Sequence, residues 1–183
     1  RLLLQPLQLL VHLRLAHLHL QAQLPQQFSM YSLEFWNKTW SKNYDRYNRH
    51  HQEVWKELEK FLVGNIVDLG CGSCVMYKGK DINLTGIDFS EEALKEAHKN
   101  YPCGTYVQAS VTNTGLPSGK FDTVIMSGLL DYFESWTPVI TEAKRLLKPK
   151  GQIIATLFNG FRGHDWTKYP HLTGNWHVLN NRF

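Results

Sequence analysis

The chain has 183 residues, of which 43% are hydrophobic, 13% aromatic and 20% charged; this is the composition of one ordinary globular domain, able to bury roughly 70% of its unfolded surface. Wholesale disorder and collagen-like or coiled-coil architectures are excluded, and no uninterrupted apolar run reaches membrane-spanning length. The net charge of +4 is not clustered, because only Arg1 and Arg14 precede Glu34 and the other 18 Lys and Arg are interspersed with all 16 acids; neither a nucleic acid nor a membrane partner is indicated.

The first 27 residues hold eleven Leu and six Gln, and no acid occurs before Glu34. Residues 1–33 are expected to be a low-complexity leader, non-native or disordered, ahead of a single domain over 34–183. From Phe35 the pattern turns aromatic and charged, with Trp36, Trp40, Tyr44 and Tyr47. Val54, Trp55, Leu58, Phe61 and Leu62 then recur at helical spacing. This predicts an amphipathic helix packed on the domain, whose aromatic run is alternatively part of a ligand lid.

The middle of the chain alternates strand and helix signals. Short apolar runs at 65–69, 82–87, 106–108, 121–126 and 152–158 predict five strands. A helix is expected from Ser90, an N-cap followed by Glu91 and Glu92, to Lys99, and another over Thr137–Leu147, with Pro138 in its first turn. Short apolar strands separated by helices require right-handed crossovers, so the predicted class is α/β, a doubly wound, mostly parallel sheet with helices on both faces.

The three cysteines, Cys71, Cys74 and Cys103, are too few for a disulfide scaffold and favour a reducing compartment, with the cytoplasm as the expected location. Cys71 and Cys74 form one C-x-x-C pair without a second, so they read as small residues in a tight turn, and no metal site is predicted.

In an open parallel sheet the ligand lies beyond the carboxyl ends of the strands. There the sequence offers Asp68-Leu-Gly-Cys-Gly72 after the first strand and Asp88, 18 residues beyond Gly70, at the end of the second. The glycines let a ligand approach the backbone, and a carboxylate at Asp88 can accept both hydroxyls of a ribose. Phe89 follows, offering a ring to a base. Two nucleoside ligands compete for this arrangement. A dinucleotide needs a pyrophosphate on the glycine loop, but Asp68 would repel it and Val75 stands at the third glycine position. A cationic ligand is favoured by the same Asp68.

These residues resemble the class I S-adenosylmethionine-dependent methyltransferases from about Phe35 to Phe158. The resemblance rests on Ile66-Val-Asp-Leu-Gly-Cys-Gly72, Leu84-Thr-Gly-Ile-Asp-Phe-Ser90, Gly119-Lys-Phe-Asp-Thr-Val-Ile125 and Leu146-Leu-Lys-Pro-Lys-Gly-Gln152, in that order. It implies a Rossmann-like core with strand order 3-2-1-4-5 and S-adenosyl-L-methionine as cofactor. Gly70, Cys71 and Gly72 would line the methionine part, Asp88 would bind the ribose, Phe89 would pack on the adenine, and Ser110 would stand where an Asp often accepts the adenine amino group. Ser127, Gly128 and Leu129 would close over the sulfonium.

The chain departs from the family in three places. Cys74 replaces a glycine, and only ten residues separate Gly72 from Asn83, so the first crossover helix must be short or irregular. After the fifth strand only 159–183 remain, without a clear sixth and seventh strand pattern, so the final strands of the family are expected to be missing.

The expected reaction is methyl transfer to a small-molecule acceptor. Asp131, Tyr132 and His164 are the catalytic candidates, as bases or orienting groups for the nucleophile. The alternatives are a cofactor-binding fragment without catalysis and, further off, a nicotinamide-dependent oxidoreductase. If the fifth strand ended the sheet, its apolar edge would need cover. A homodimer pairing at that edge is one expectation, and a strand from the segment after Trp166, such as Trp176-His-Val-Leu179, is the other.

Overall fold

The computed structural model describes residues 32–42, 55–56, 58–158 and 176–181; residues 1–31 of the expected leader, Val54 at the start of the helix expected over 54–62, and His164 lie outside them. In chain order the elements are α1 (Leu33–Lys42), β1 (Asn65–Leu69), β2 (Asn83–Asp88), α2 (Glu91–Asn100), β3 (Thr105–Gln108), β4 (Phe121–Ser127), α3 (Thr137–Leu146), β5 (Leu147–Phe158) and β6 (Trp176–Asn181). They form one sheet of order β3-β2-β1-β4-β5-β6, and every neighbouring pair is parallel. The doubly wound α/β class and the order 3-2-1-4-5 within the first five strands are as the sequence predicts.

The strands lack polar alternation because both of their faces are covered. Successive side chains point to opposite sides of a sheet. Val67, Val124, Met126 and Ile153 therefore join the core under α3, with Val139, Ile140, Ala143 and Leu146. Ile66, Ile125 and Ile154 instead join the core under α2, with Leu94, Ala97, Trp55 and Leu58. The buried Trp55 and Leu58 bear out an apolar helical face ahead of β1.

Local signals explain most boundaries. Ser90 caps α2, its hydroxyl accepting from the Ala93 amide at 3.2 Å, with Glu91 and Glu92 in the first turn and His98 and Lys99 in the last. Trp136 caps α3 without a side-chain bond, and Pro138 lies in the first turn as expected. The first crossover contains only the single 3-10 turn Val75–Tyr77, the short, irregular link that ten residues allow.

One of the two covers expected for the fifth strand is found at the far edge. β5 does not end the sheet: β6 pairs with it in parallel from Ile153↔Trp176 to Phe158↔Asn181. The backbone groups on that edge of β5 are taken by the chain itself, the intramolecular one of the two covers expected from the sequence. The signal was weak because Trp176-His-Val-Leu-Asn-Asn181 is short and ends in two asparagines, residues depleted from strands.

Candidate functional site

Three loops meet at the carboxyl ends of β1, β2 and β4. The first turns sharply after β1, with the Gly70 and Cys71 amides both donating to the Ile87 carbonyl, at 2.8 and 2.9 Å. Gly70 and Gly72 have φ of +73° and +53°, a region side chains resist. A Cβ on Gly72 would lie 2.7 Å from the Trp40 indole, and one on Gly70 would lie 2.8 Å from Leu129 Cδ1. Cys74 adopts φ +52°, so the residue that replaces the family's glycine keeps a glycine-like backbone, and Cys71 and Cys74 are buried free thiols. Burial, with Cys74 beside it, pushes the Cys71 thiol well up, away from the thiolate needed for redox or metal chemistry.

The second loop is organised by Asp88, which is 5% exposed. Its Oδ2 accepts from the Gly72 amide at 3.0 Å and its Oδ1 from the Ser90 amide at 2.9 Å. Burial raises its pKa to about 6, against the pull of the Ser90, Gly72 and Phe89 amides. Three amides thus draw on the four lone pairs of the carboxylate, which leaves one for a further donor. The neighbouring Ser90 hydroxyl donates to Asn37 Oδ1 of α1 at 2.5 Å.

Asp68, in β1, is 1% exposed. Its Oδ2 accepts from the Tyr77 hydroxyl at 2.8 Å, while Oδ1 is buried with no hydrogen-bond partner among the described residues. Burial raises its pKa to about 7, the Tyr77 bond opposing and the nearby Asp88 charge adding to the rise. A buried carboxylate oxygen left unpaired is costly, and such an orphan in a native fold calls for an explanation.

The third loop follows β4. Ser127 Oγ and Thr156 Oγ1 lie 3.1 Å apart, and the Gly128 amide donates to Thr156 Oγ1 at 2.9 Å. Leu129 packs against Gly70, and the 3-10 turn Leu130–Tyr132 follows. Asp131 is buried; the half-buried Tyr132 ring meets Trp36 edge to face, with centroids 4.9 Å apart. Thus α1 reaches all three loops: Trp40 over Gly72, Asn37 on Ser90, and Trp36 on Tyr132.

Asp68, Gly70, Cys71, Gly72, Asp88, Ser127 and Leu129 therefore converge at one end of the sheet. Phe89 is half-buried beside Asp88, its carbonyl accepting from Gln108 Nε2 at 3.0 Å. Ser110 is turned to local use: its hydroxyl lies 2.9 Å from Thr112 Oγ1 and accepts from the Thr112 amide at 3.3 Å. Sequence reasoning missed Tyr77, Asn37 and Thr156. Only Thr156 carried a signal, as a polar residue near the carboxyl end of a strand.

The methyltransferase-domain family profile matches residues 67–155. A ubiquinone biosynthesis O-methyltransferase from Dechloromonas aromatica is 34% identical over 104 residues, 51% of this chain and 44% of that protein. An uncharacterised methyltransferase from Synechocystis is 31% identical over 132 residues, 68% of this chain and 60% of that one. The chain therefore spans about half the length of these curated relatives. Among solved structures, a SAM-dependent methyltransferase from Thermotoga maritima, described as a possible histamine N-methyltransferase, superposes with a TM-score of 0.59 at 19% identity. That match covers 75% of this chain and 68% of the other, and shows the shared fold. The sheet and its glycine loop define a Rossmann-like methyltransferase domain. With the profile match over 67–155, they make that segment similar to the class I S-adenosylmethionine-dependent methyltransferases, whose cofactor is S-adenosylmethionine.

Proposed function

We propose that this chain transfers a methyl group from S-adenosylmethionine to a small-molecule acceptor. The observation that carries the reading is the orphaned Asp68 Oδ1, a buried carboxylate oxygen beside a glycine loop at the sheet's carboxyl end. An amino or sulfonium cation answers that oxygen; a pyrophosphate on the glycine loop would meet the Asp68 carboxylate and be repelled. The nicotinamide reading is disfavoured on the same ground.

The residues present fit the cofactor. Gly70, Cys71 and Gly72 would hold its methionine part, where added Cβ atoms at the two glycines would collide. Asp88 would accept from the ribose on its remaining lone pair, and Phe89 would flank the adenine. Ser110 would reach the adenine amino group only by giving up its bond to Thr112. When bound, the cofactor supplies an electrophilic methyl carbon on a sulfonium. The protein's part is to hold donor and acceptor in line and to exclude water, and α1 covers the loops for that purpose.

Asp131 and Tyr132, after β4, are the acceptor-side groups, with Trp36 forming an apolar wall against Tyr132. That aromatic surface favours a small apolar or planar acceptor. Incubating the protein with radiolabelled S-adenosylmethionine and a metabolite extract tests the reading. Label in a small-molecule fraction supports it. Label confined to protein moves the acceptor to another class, and binding without turnover makes the chain a cofactor-binding domain.

A further inference from the structure

We propose that Tyr77 is a positioning residue for the cofactor: its hydroxyl holds one oxygen of Asp68, so that the other is presented as a single acceptor to the cationic amino-acid end of S-adenosylmethionine. The proposal rests on the reading of the site as an S-adenosylmethionine site.

The short crossover makes this contact available. Where a regular helix would carry the chain away from the sheet, the 3-10 turn Val75–Tyr77 brings a side chain nine residues after Asp68 back beneath β1. Tyr77 is fully buried. Its ring is held edge-on by Trp55, at 5.7 Å and 88°, and by Tyr101, at 6.2 Å and 61°. Tyr101 is itself anchored, its hydroxyl donating to the Ile82 carbonyl at 2.6 Å and accepting from the Ile82 amide at 3.1 Å. The Tyr77 hydroxyl thus has a fixed direction, and it spends its one proton on Asp68 Oδ2 at 2.8 Å. With that oxygen held, the carboxylate cannot swing, and Oδ1 is left buried without a partner among the described residues.

Electrostatics agree with the geometry. Burial, then the charge of Asp68, push the Tyr77 phenol well up, so it remains a donor at every working pH. The ionisable groups that face the pair are Asp88, from the end of β2, and Cys71 and Cys74, from the loop after β1. None of these supplies a positive charge, and no salt bridge reaches Asp68 among the described residues. The Tyr77 bond stabilises the ionised carboxylate against burial, in the state a cationic ligand needs.

Tyr77→Phe keeps the ring and deletes the donor. Carboxyl carbon NMR of the ligand-free full chain should place the Asp68 midpoint near 7 in the wild type, and about one pH unit higher in the variant. Calorimetric titration with S-adenosylmethionine at pH 7 should give roughly tenfold weaker binding to Tyr77→Phe, with the gap closing as pH rises past the shifted midpoint. Asp68→Asn, which retains an acceptor for Tyr77, should bind weakly and lose the Asp68-linked rise in affinity between pH 6 and 8. An unmoved Asp68 midpoint in Tyr77→Phe overturns the proposal. So does a moved midpoint with cofactor affinity unchanged at every pH, an outcome that leaves the S-adenosylmethionine reading standing. Should Tyr77→Phe fail to fold, an undiminished pH rise in Asp68→Asn overturns the proposal instead. Wild type that binds no S-adenosylmethionine at any pH sinks both, and is recognised before any variant is compared.

Discussion

Gly72 donates its backbone N–H to Asp88 Oδ2 at 3.0 Å, tying the loop after β1 to the carboxylate that ends β2. The residue proposed to hold the ribose therefore also shapes the loop proposed to hold the methionine. Asp88→Ala should lower affinity for S-adenosylhomocysteine about a hundredfold or more, the worth of a pair of charge-assisted hydrogen bonds. It should also free the Gly72 and Ser90 amides, so faster hydrogen exchange at 70–74 and 90 is expected alongside the lost binding. Calorimetry and exchange measured on the same variant check both halves.

The two buried carboxylates make the ligand-free fold sensitive to pH. Asp68 and Asp88 have native pKa values of about 7 and about 6, both raised above the ordinary 3.8. A raised carboxyl pKa means that the native state binds its proton more tightly than the unfolded chain does. Stability is thus greatest below about pH 4 as far as these groups go, and it is lost as pH rises through 6 and 7. The thermal midpoint of the ligand-free protein should fall between pH 5 and 8, and Asp68→Asn should flatten part of that fall. A fall between pH 5 and 8 that is equally steep in Asp68→Asn would contradict the assignment of Asp68.

Trp40 and Gly72 should be energetically coupled. Gly72→Ala would put a methyl group 2.7 Å from the Trp40 indole, on a backbone at φ +53°, and should destabilise the protein by about 2 kcal/mol through strain and displacement of α1. Trp40→Ala should weaken cofactor binding about tenfold by uncovering the loop. The double variant should lose less stability than the two single losses added together, since the collision disappears with the ring. Chemical denaturation of the four proteins measures the coupling, and strict additivity would rule out the contact.

On the other face, Glu142 ties α3 to the segment before β4. Its carboxylate accepts from the Thr114 amide and hydroxyl, at 2.8 and 2.6 Å, and is bridged by Arg145, which also donates to the Leu116 carbonyl. Burial pushes the Glu142 carboxyl up, but Arg145 and Thr114 outweigh it and hold the group below its ordinary range. The resulting stability is present above about pH 4.5 and is lost as pH falls through the lowered native value. Glu142→Ala should cost about 3 kcal/mol, leaving Thr114 without its acceptor and Arg145 partly buried without its counter-charge. Urea denaturation at pH 7 is the check; cofactor affinity should change little.

The parts of the fold legible in the sequence were those fixed by local chemistry. The Ser90 cap with its two glutamates bounded α2, and the apolar runs ending at Leu69 and Asp88 located the two strands whose carboxyl ends carry the glycine loop and the acid. β6 was harder to read because its hydrogen bonds come from a strand distant in sequence rather than from its own periodicity, and its two asparagines gave no apolar pattern. Tyr77 had no local signal at all. Its importance depends on a crossover too short for a helix, which the ten residues between Gly72 and Asn83 announced, and on a direction of return that only the assembled sheet defines. Trp36 and Trp40 were visible as an aromatic run, but spacing alone could not say what they pack on; in the fold Trp40 lies over Gly72 and Trp36 meets Tyr132.

The central claim is that the glycine loop and Asp88 hold S-adenosylmethionine. The most direct test is calorimetric titration of the purified chain with S-adenosylhomocysteine and, in parallel, with a reduced nicotinamide dinucleotide. One saturable site for the first ligand, lost in Asp88→Ala, with no heat from the second, is the predicted result. Binding of the dinucleotide, or S-adenosylhomocysteine affinity that is indifferent to Asp88, would contradict it.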